Sequence, residues 1–339
     1  MRAVVMRNKK LVVDEVPAPT PRSGEVLVKT LACGICGTDL HALKFSEILL
    51  DGARCSGGLF AIDPSRDVVM GHEFCAEVVD YGPDTRKRFK PGTRVCSVPL
   101  LLSGTSYESI GYSSANPGGF GEMMRLTESK LLEVPEGLPT DLATLTEPMA
   151  VGFHAVNKAR LERRDIPLVV GCGPVGLAII AALKLDGRGP IVASDFSPRR
   201  RELAVEMGAD IVVDPREKSP YEAAGSPPAV IFECVGVPGV LDEIMFHAPR
   251  HARIIVAGLC MQGDNIYPLS GIYKELLIQF VLGYTSDEFA LALRKIAKGK
   301  IRVQTLITSK VGLDGVANAF SELGTPGRHA KILVEPWRN

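Results

Sequence analysis

An apolar run that ends in three glycines at fixed spacing constrains this chain more than any other feature. Ile166-Pro-Leu-Val-Val leads into Gly171-Cys-Gly173-Pro-Val-Gly176, and Leu177-Ala-Ile-Ile-Ala-Ala-Leu follows with helical character. Strand, Gly-x-Gly-x-x-Gly turn and helix in that order form the first βα unit of a doubly wound parallel sheet that binds a dinucleotide. Gly171 permits the tight turn, Gly173 lets the backbone approach a pyrophosphate, and Gly176 allows close packing of helix on strand. The helix N-terminus, with Pro174 and Val175 in its first turn, presents free N–H groups to the phosphates. A second strand, Ile191-Val-Ala-Ser, ends in Asp195, near the roughly 20-residue offset of the carboxylate that hydrogen-bonds the adenosine ribose. An acid there favours NAD over NADP, since a 2′-phosphate would meet a negative charge. Arg199 and Arg200 follow closely and weigh in the other direction.

The rest of the chain divides by rhythm. Residues 1 to 147 carry short β-type runs broken by Gly and Pro, among them Leu11-Val-Val-Asp-Glu-Val and Glu25-Val-Leu-Val-Lys, which suggest an irregular β-barrel-like domain. From 148 to 284, strands at 168, 191, 211, 229, 253 and 277 alternate with helical stretches, as a Rossmann-type α/β sheet requires. Thr285-Ser-Asp-Glu288 has the form of a capping box opening a helix that Gly299 closes. The tail, with Ile301 to Thr308 and Ala330-Lys-Ile-Leu-Val-Glu, reads as β structure again, and 285–339 is expected to rejoin the first domain. The stretches 42–69 and 99–119 read as irregular loops.

The charge balance excludes several classes. Lys plus Arg equals Asp plus Glu at 39 each, so nothing here recruits nucleic acid or an anionic membrane surface. No apolar run approaches the roughly 18 residues needed to span a bilayer, and the N-terminus lacks a signal core. A cytoplasmic location is expected. Eight cysteines in such a chain are thiols, metal ligands or small core residues. One group of donor side chains stands out: Cys33-Gly-Ile-Cys36-Gly-Thr38-Asp39-Leu-His41, then Gly71-His72-Glu73. Thiolate, imidazole and carboxylate together are zinc ligands, and a site with three of them leaves a fourth position open.

These motifs, with Phe120-Gly-Glu and Glu147-Pro-Met-Ala-Val-Gly-Phe-His, resemble those of zinc-dependent medium-chain alcohol and polyol dehydrogenases of the sorbitol and threonine dehydrogenase type, over nearly the whole length. The resemblance implies a GroES-like catalytic domain beside the Rossmann domain, and hydride transfer between NAD and a secondary alcohol or polyol. It makes Cys36 and His72 zinc ligands, with Glu147 at or near the metal and Glu73 an alternate ligand. Asp39 would accept the spare N–H of His72. Thr38 and His41 would relay the proton of the bound alcohol, with Glu73 and water as the other route. Arg200, Val235, Gly236 and Leu259 would join the glycine turn and Asp195 in holding the cofactor. The family pairs its last sheet strand, here Leu276 to Tyr284, across a two-fold axis, which implies a homodimer or homotetramer. A zinc-independent enone or quinone reductase of the same architecture, or a non-catalytic NAD-sensing protein, would share the fold without needing the donor pair.

Two departures from the family pattern are visible. Many relatives bind a structural zinc through four cysteines after the position of Cys96, whereas 97–119 has no Cys. One catalytic zinc and no structural zinc are therefore expected. The spacing from Cys36 to His72 is long; the excess, about Phe45 to Asp67 with Cys55 and Phe60, is either a lid over the site or a surface excursion.

Overall fold

The computed structural model describes residues 1–56, 62–104, 106–325, 327 and 329–338. The chain forms two compact units. The first comprises 1–147, 307–325 and 331–339, and the second comprises 148–306 and 326–330.

The second unit is built on a six-stranded, all-parallel sheet. Its strand order is Ile211–Val213, Val192–Ser194, Pro167–Val170, Val230–Glu233, Arg253–Val256, Leu277–Phe280. In chain order that is 3-2-1-4-5-6, which puts the switch point of the sheet at the C-terminal end of Pro167–Val170, where ligands of such sheets bind. The core is made by the apolar runs the sequence shows, with Leu168, Val192, Ile231 and Ile254 packed under Ile244 and Met245 of the helix Val240–His247. The helix Pro174–Leu185 has Gly173 as its N-cap and is buried along Gly176 to Leu183. At Gly171 φ is +93°, and a Cβ on Gly176 would lie 1.9 Å from the carbonyl oxygen of Gly171, so neither position accepts a side chain.

The capping box is present: Thr285 Oγ1 accepts from the N–H of Glu288, and the Glu288 carboxylate accepts from the N–H of Thr285. It opens the helix Ser286–Ala297. That helix belongs to the second unit, so the return to the first comes at Ile307 rather than at 285. The reason is Glu288, which also accepts from Asn157 and bonds His154 at 2.9 Å on the helix Thr146–Ala159.

In the first unit a seven-stranded sheet runs Leu131–Glu133, Arg94–Ser97, Glu73–Tyr81, Glu25–Gly34, Lys331–Val334, Ile307–Val311, with Met123–Thr127 also paired to Glu25–Gly34. A three-stranded sheet of Lys10–Glu15, Arg2–Arg7 and Val68–Val69 accompanies it. Two stretches expected to be irregular are regular in part. The segment after Cys36 is a helix, Gly37–Ser56, broken only by a kink at Phe45, and Leu100–Ser103 pairs with Ser106–Ser109 as a hairpin. The propensity of Glu47, Ile48, Leu49 and Leu50 and the burial of Leu49 outweigh the local cost of Gly52. Phe60 lies outside the described residues.

Candidate metal and cofactor site

Sheet register assembles the metal site. In the antiparallel pair of Glu25–Gly34 with Glu73–Tyr81, Gly34 faces Glu73 and Cys33 faces Phe74. The two strand ends therefore bring the chain leaving at Ile35-Cys36 beside the chain arriving at His72. A Cβ at residue 34 would lie 2.1 Å from Glu73 Oε2, so the glycine leaves the space that the carboxylate fills. Cys36, His72 and Glu73 each offer one donor atom, and these atoms all lie within 4.8 Å of one another.

Asp39 ties two of these residues together. It sits in the first turn of the helix Gly37–Ser56, fully buried, and its Oδ2 accepts from the Cys36 N–H at 2.9 Å. Its Oδ1 lies 3.3 Å from His72 Nδ1. Between them stands Tyr112, whose hydroxyl is 2.9 Å from Asp39 Oδ1 and 3.0 Å from His72 Nδ1. Burial and the charge of Asp39 push that hydroxyl well above its ordinary range, so it stays protonated and donates to the carboxylate. Burial also opposes a charged His72, but Asp39 and Cys36 outweigh it and hold the imidazole well above its usual value. In the metal-free chain the ring thus carries a proton that a metal ion would replace.

Lys331 completes the constellation and has no counterpart in the sequence reading. It opens the strand Lys331–Val334, which pairs with Glu25–Gly34, and its Nζ lies 2.7 Å from both oxygens of Glu73 and 3.1 Å from the Ile35 carbonyl. Both side chains are 1% exposed. Burial works against the ammonium, yet Glu73, Cys36 and Glu147 raise it, and it stays charged. The one available signal was a lysine heading an otherwise apolar strand. Tyr112 carried no signal at all, because nothing in its Gly- and Ser-rich surroundings predicts a long-range partner.

Glu147 lies in the first turn of Thr146–Ala159, 8% exposed, near enough that its charge raises both Tyr112 and Lys331. Two carboxylates, Glu73 and Glu147, and the Cys36 thiol thus face one lysine, while Asp39 stands behind Cys36 and His72. That donor set fits a divalent cation, and thiol, imidazole and carboxylate are the chemistry of zinc. Thr38 Oγ1 is 3.7 Å from Cys36 Sγ. His41, three residues on, has a buried Nδ1 with no hydrogen-bond partner among the described residues, and burial, then Lys44, pulls its pKa below the usual value.

In the second unit, Asp195 accepts from the Cys172 N–H at 2.8 Å and from the Ser197 N–H at 2.8 Å, and Arg200 lies 3.7 Å from it. The acid is therefore anchored to the glycine turn itself. Glu233, buried at a neighbouring strand end, accepts from the N–H groups of Val235 and Gly236, while the Ala257 and Gly258 N–H groups bond its carbonyl. Leu259 packs beside Gly236, where a Cβ would lie 2.7 Å from its nitrogen. The expected cofactor residues thus gather at one end of the parallel sheet. The helix N-terminus at Gly173 and the Asp195 carboxylate there suit a dinucleotide.

Among the described residues, no helix is long and apolar enough to cross a membrane. Residues 22–136 match the alcohol dehydrogenase GroES-like domain, and residues 174–298 match the zinc-binding dehydrogenase domain. The chain is 31% identical to (R,R)-butanediol dehydrogenase of Bacillus subtilis over 351 residues, covering 99% of this chain and 100% of that protein. It is 27% identical to the sorbitol dehydrogenase of the same organism, covering 100% and 98%. The crystal structure of the Bacillus subtilis 2R,3R-butanediol dehydrogenase superposes with a TM-score of 0.83 at 30% identity, covering 99% of each chain. A GroES-like domain, a Rossmann sheet and a thiol–imidazole–carboxylate centre occur together here, and the chain belongs to the zinc-binding medium-chain alcohol and polyol dehydrogenases.

Proposed function

We propose that this enzyme oxidises a small secondary alcohol or polyol to the ketone, reversibly, with hydride passing between substrate and a nicotinamide dinucleotide. The observation that carries the reading is the donor cluster of Cys36, His72 and Glu73, braced by Asp39, in a chain that also carries the dinucleotide fingerprint. Zinc, when bound, would lower the pKa of a substrate hydroxyl at its open position, so that the hydroxyl gives up its proton and the carbon bearing it can pass hydride to the nicotinamide.

The chain's own groups do the rest. Cys36 and His72 are the first two ligands. Glu147 would take the third place, with Glu73, whose oxygens also bond Lys331, as the alternate ligand. The Thr38 hydroxyl accepts the substrate proton, and His41, neutral near pH 7 and with an open Nδ1, takes it on towards solvent. Gly171, Gly173, Pro174, Val175 and Gly176 receive the pyrophosphate, and Val235, Gly236 and Leu259 border the same sheet end. Asp195 selects NAD over NADP, its carboxylate standing where a 2′-phosphate would be repelled; Arg200 moderates that preference without reversing it.

Assembly follows from the exposed sheet edge. Phe280 and Leu282 are 71% and 67% exposed at the last strand, and Leu277 in that strand and Leu269 and Ile272 in the helix before it are exposed as well. An uncovered apolar edge of this kind is covered or paired, and a second copy of the chain is the occupant we assign to it. The reading is tested by screening diols, sugar alcohols, amino alcohols and ring alcohols with NAD and with NADP at the reduced-cofactor absorbance. Turnover of a secondary alcohol that stops on chelation and returns with zinc supports the proposal; turnover indifferent to chelation returns the chain to the zinc-independent reductases.

A further inference from the structure

The lobe between Leu100 and Gly119, which lacks the cysteines of a structural zinc, is held by a buried polar network. Arg125 bonds Glu25 at 3.2 Å, Asn116 Oδ1 at 2.5 Å and the Ala115 carbonyl at 3.4 Å. Asn116 in turn donates to Glu108 at 3.0 Å and to the Ser109 carbonyl at 3.3 Å, and its own carbonyl accepts from the Gly111 N–H. Arg125, Asn116 and Glu25 are each at most 4% exposed. The network therefore fixes the backbone on both sides of Tyr112, itself 1% exposed, whose ring centroid lies 5.1 Å from that of His72.

Resting on the zinc reading above, we propose that Tyr112 is a positioning residue of the metal centre, and that the lobe serves to deliver its hydroxyl to His72. A carboxylate only accepts, so the single Tyr112 O–H points to Asp39 Oδ1 at 2.9 Å. Its oxygen is then left to accept, and His72 Nδ1 is presented to it at 3.0 Å. The imidazole is thereby fixed with its proton on Nδ1 and its Nε2 lone pair free for the metal, the arrangement that partners of metal-bound histidines usually impose. Asp39 alone, at 3.3 Å and already bonded to the Cys36 N–H, holds the ring less closely.

The test is Tyr112→Phe, which keeps the buried ring and removes only the hydroxyl. Zinc affinity is measured on wild type and variant by competition with a chromogenic chelator, and the thermal midpoints of the chelator-stripped proteins are compared. The stripped midpoints should nearly coincide, while zinc binding should weaken by roughly 10- to 100-fold in the variant. The absorption bands of the cobalt-substituted protein should also shift, which a purely structural tyrosine would not cause. Wild-type zinc affinity in the variant overturns the inference. A wild type that binds no zinc overturns the metal reading beneath it, a distinct result. Should Tyr112→Phe fail to fold, Asn116→Ala takes its place: weaker zinc binding with Tyr112 intact supports delivery by the lobe, and unchanged binding refutes it.

Discussion

Lys331 decides what each carboxylate of the site can do. A buried pair with both oxygens engaged is costly to break, because removing one partner strands the other; the typical penalty is about 3–5 kcal/mol. Glu73→Ala should therefore destabilise the protein by about that amount while leaving most of the zinc, since it strands the Lys331 ammonium. Glu147→Ala should do the opposite, lowering zinc affinity by roughly 10- to 100-fold or more and slowing hydride transfer with little change in stability. Metal analysis and thermal midpoints of the two variants separate these outcomes, and the larger zinc loss in Glu73→Ala would exchange the two roles. His41 gives a pH signature. Its pKa lies below the usual histidine value, so the ring accepts protons through the neutral range and loses that capacity only as pH falls through the lowered pKa. His41→Gln should cut alcohol oxidation at pH 7 by roughly 10- to 100-fold, and the deficit should shrink by pH 9, where hydroxide substitutes for the relay. An equal deficit at both pH values would remove His41 from the proton path.

At the scale of elements, local signals were readable and long-range ones were not. The Thr285–Glu288 box lies within four residues, so spacing alone revealed it. Its wider role was hidden, because Asn157 and His154 lie more than 130 residues away in sequence. Burial raises the Glu288 carboxyl, but the Thr285 N–H, Asn157 and His154 outweigh it and leave the pKa below the usual glutamate value. A carboxylate depressed in this way stabilises the fold above the unfolded-state pKa and loses that contribution as pH falls through the folded-state pKa. Glu288→Gln should lower the unfolding midpoint at pH 7 by the equivalent of about 1–3 kcal/mol, and the difference from wild type should narrow towards pH 4. A difference independent of pH would show that packing, not charge, is at work there. The helix Gly37–Ser56 illustrates the converse. Beyond the kink at Phe45 the chain resumes as helix and runs through Gly52, because Leu49 finds a buried place, whereas a reading of composition weighted Gly52 and the glycines beyond it as loop. The lobe around Tyr112 was invisible for a third reason: its order comes from Arg125 on the strand that follows it, and Arg125 is itself anchored by Glu25, 100 residues earlier in the chain.

For the whole molecule, the alternation of strand and helix between 168 and 280 was enough to define a parallel sheet, because buried strands of that kind are uniformly apolar and closely spaced. The motifs name Cys36, Asp39, His72, Glu73 and Glu147, of which the fold groups Cys36, His72 and Glu73 as donors; Tyr112 and Lys331 emerged only when the fold brought distant segments together. The exposed edge at Phe280 and Leu282 leads to a further expectation. Sedimentation at micromolar concentration should give a dimer or larger assembly, and Leu282→Asp should shift it towards monomer without loss of zinc; a monomeric wild type would contradict the assignment of that edge. The central claim is that one zinc, held by Cys36, His72 and a carboxylate, is what lets this chain transfer hydride. Elemental analysis of the purified protein, paired with turnover before chelation, after it and after zinc is restored, tests this most directly. The account predicts one zinc per chain whose removal abolishes alcohol-dependent cofactor reduction and whose return restores it; full turnover from zinc-free protein, or two zinc ions per chain, would contradict it.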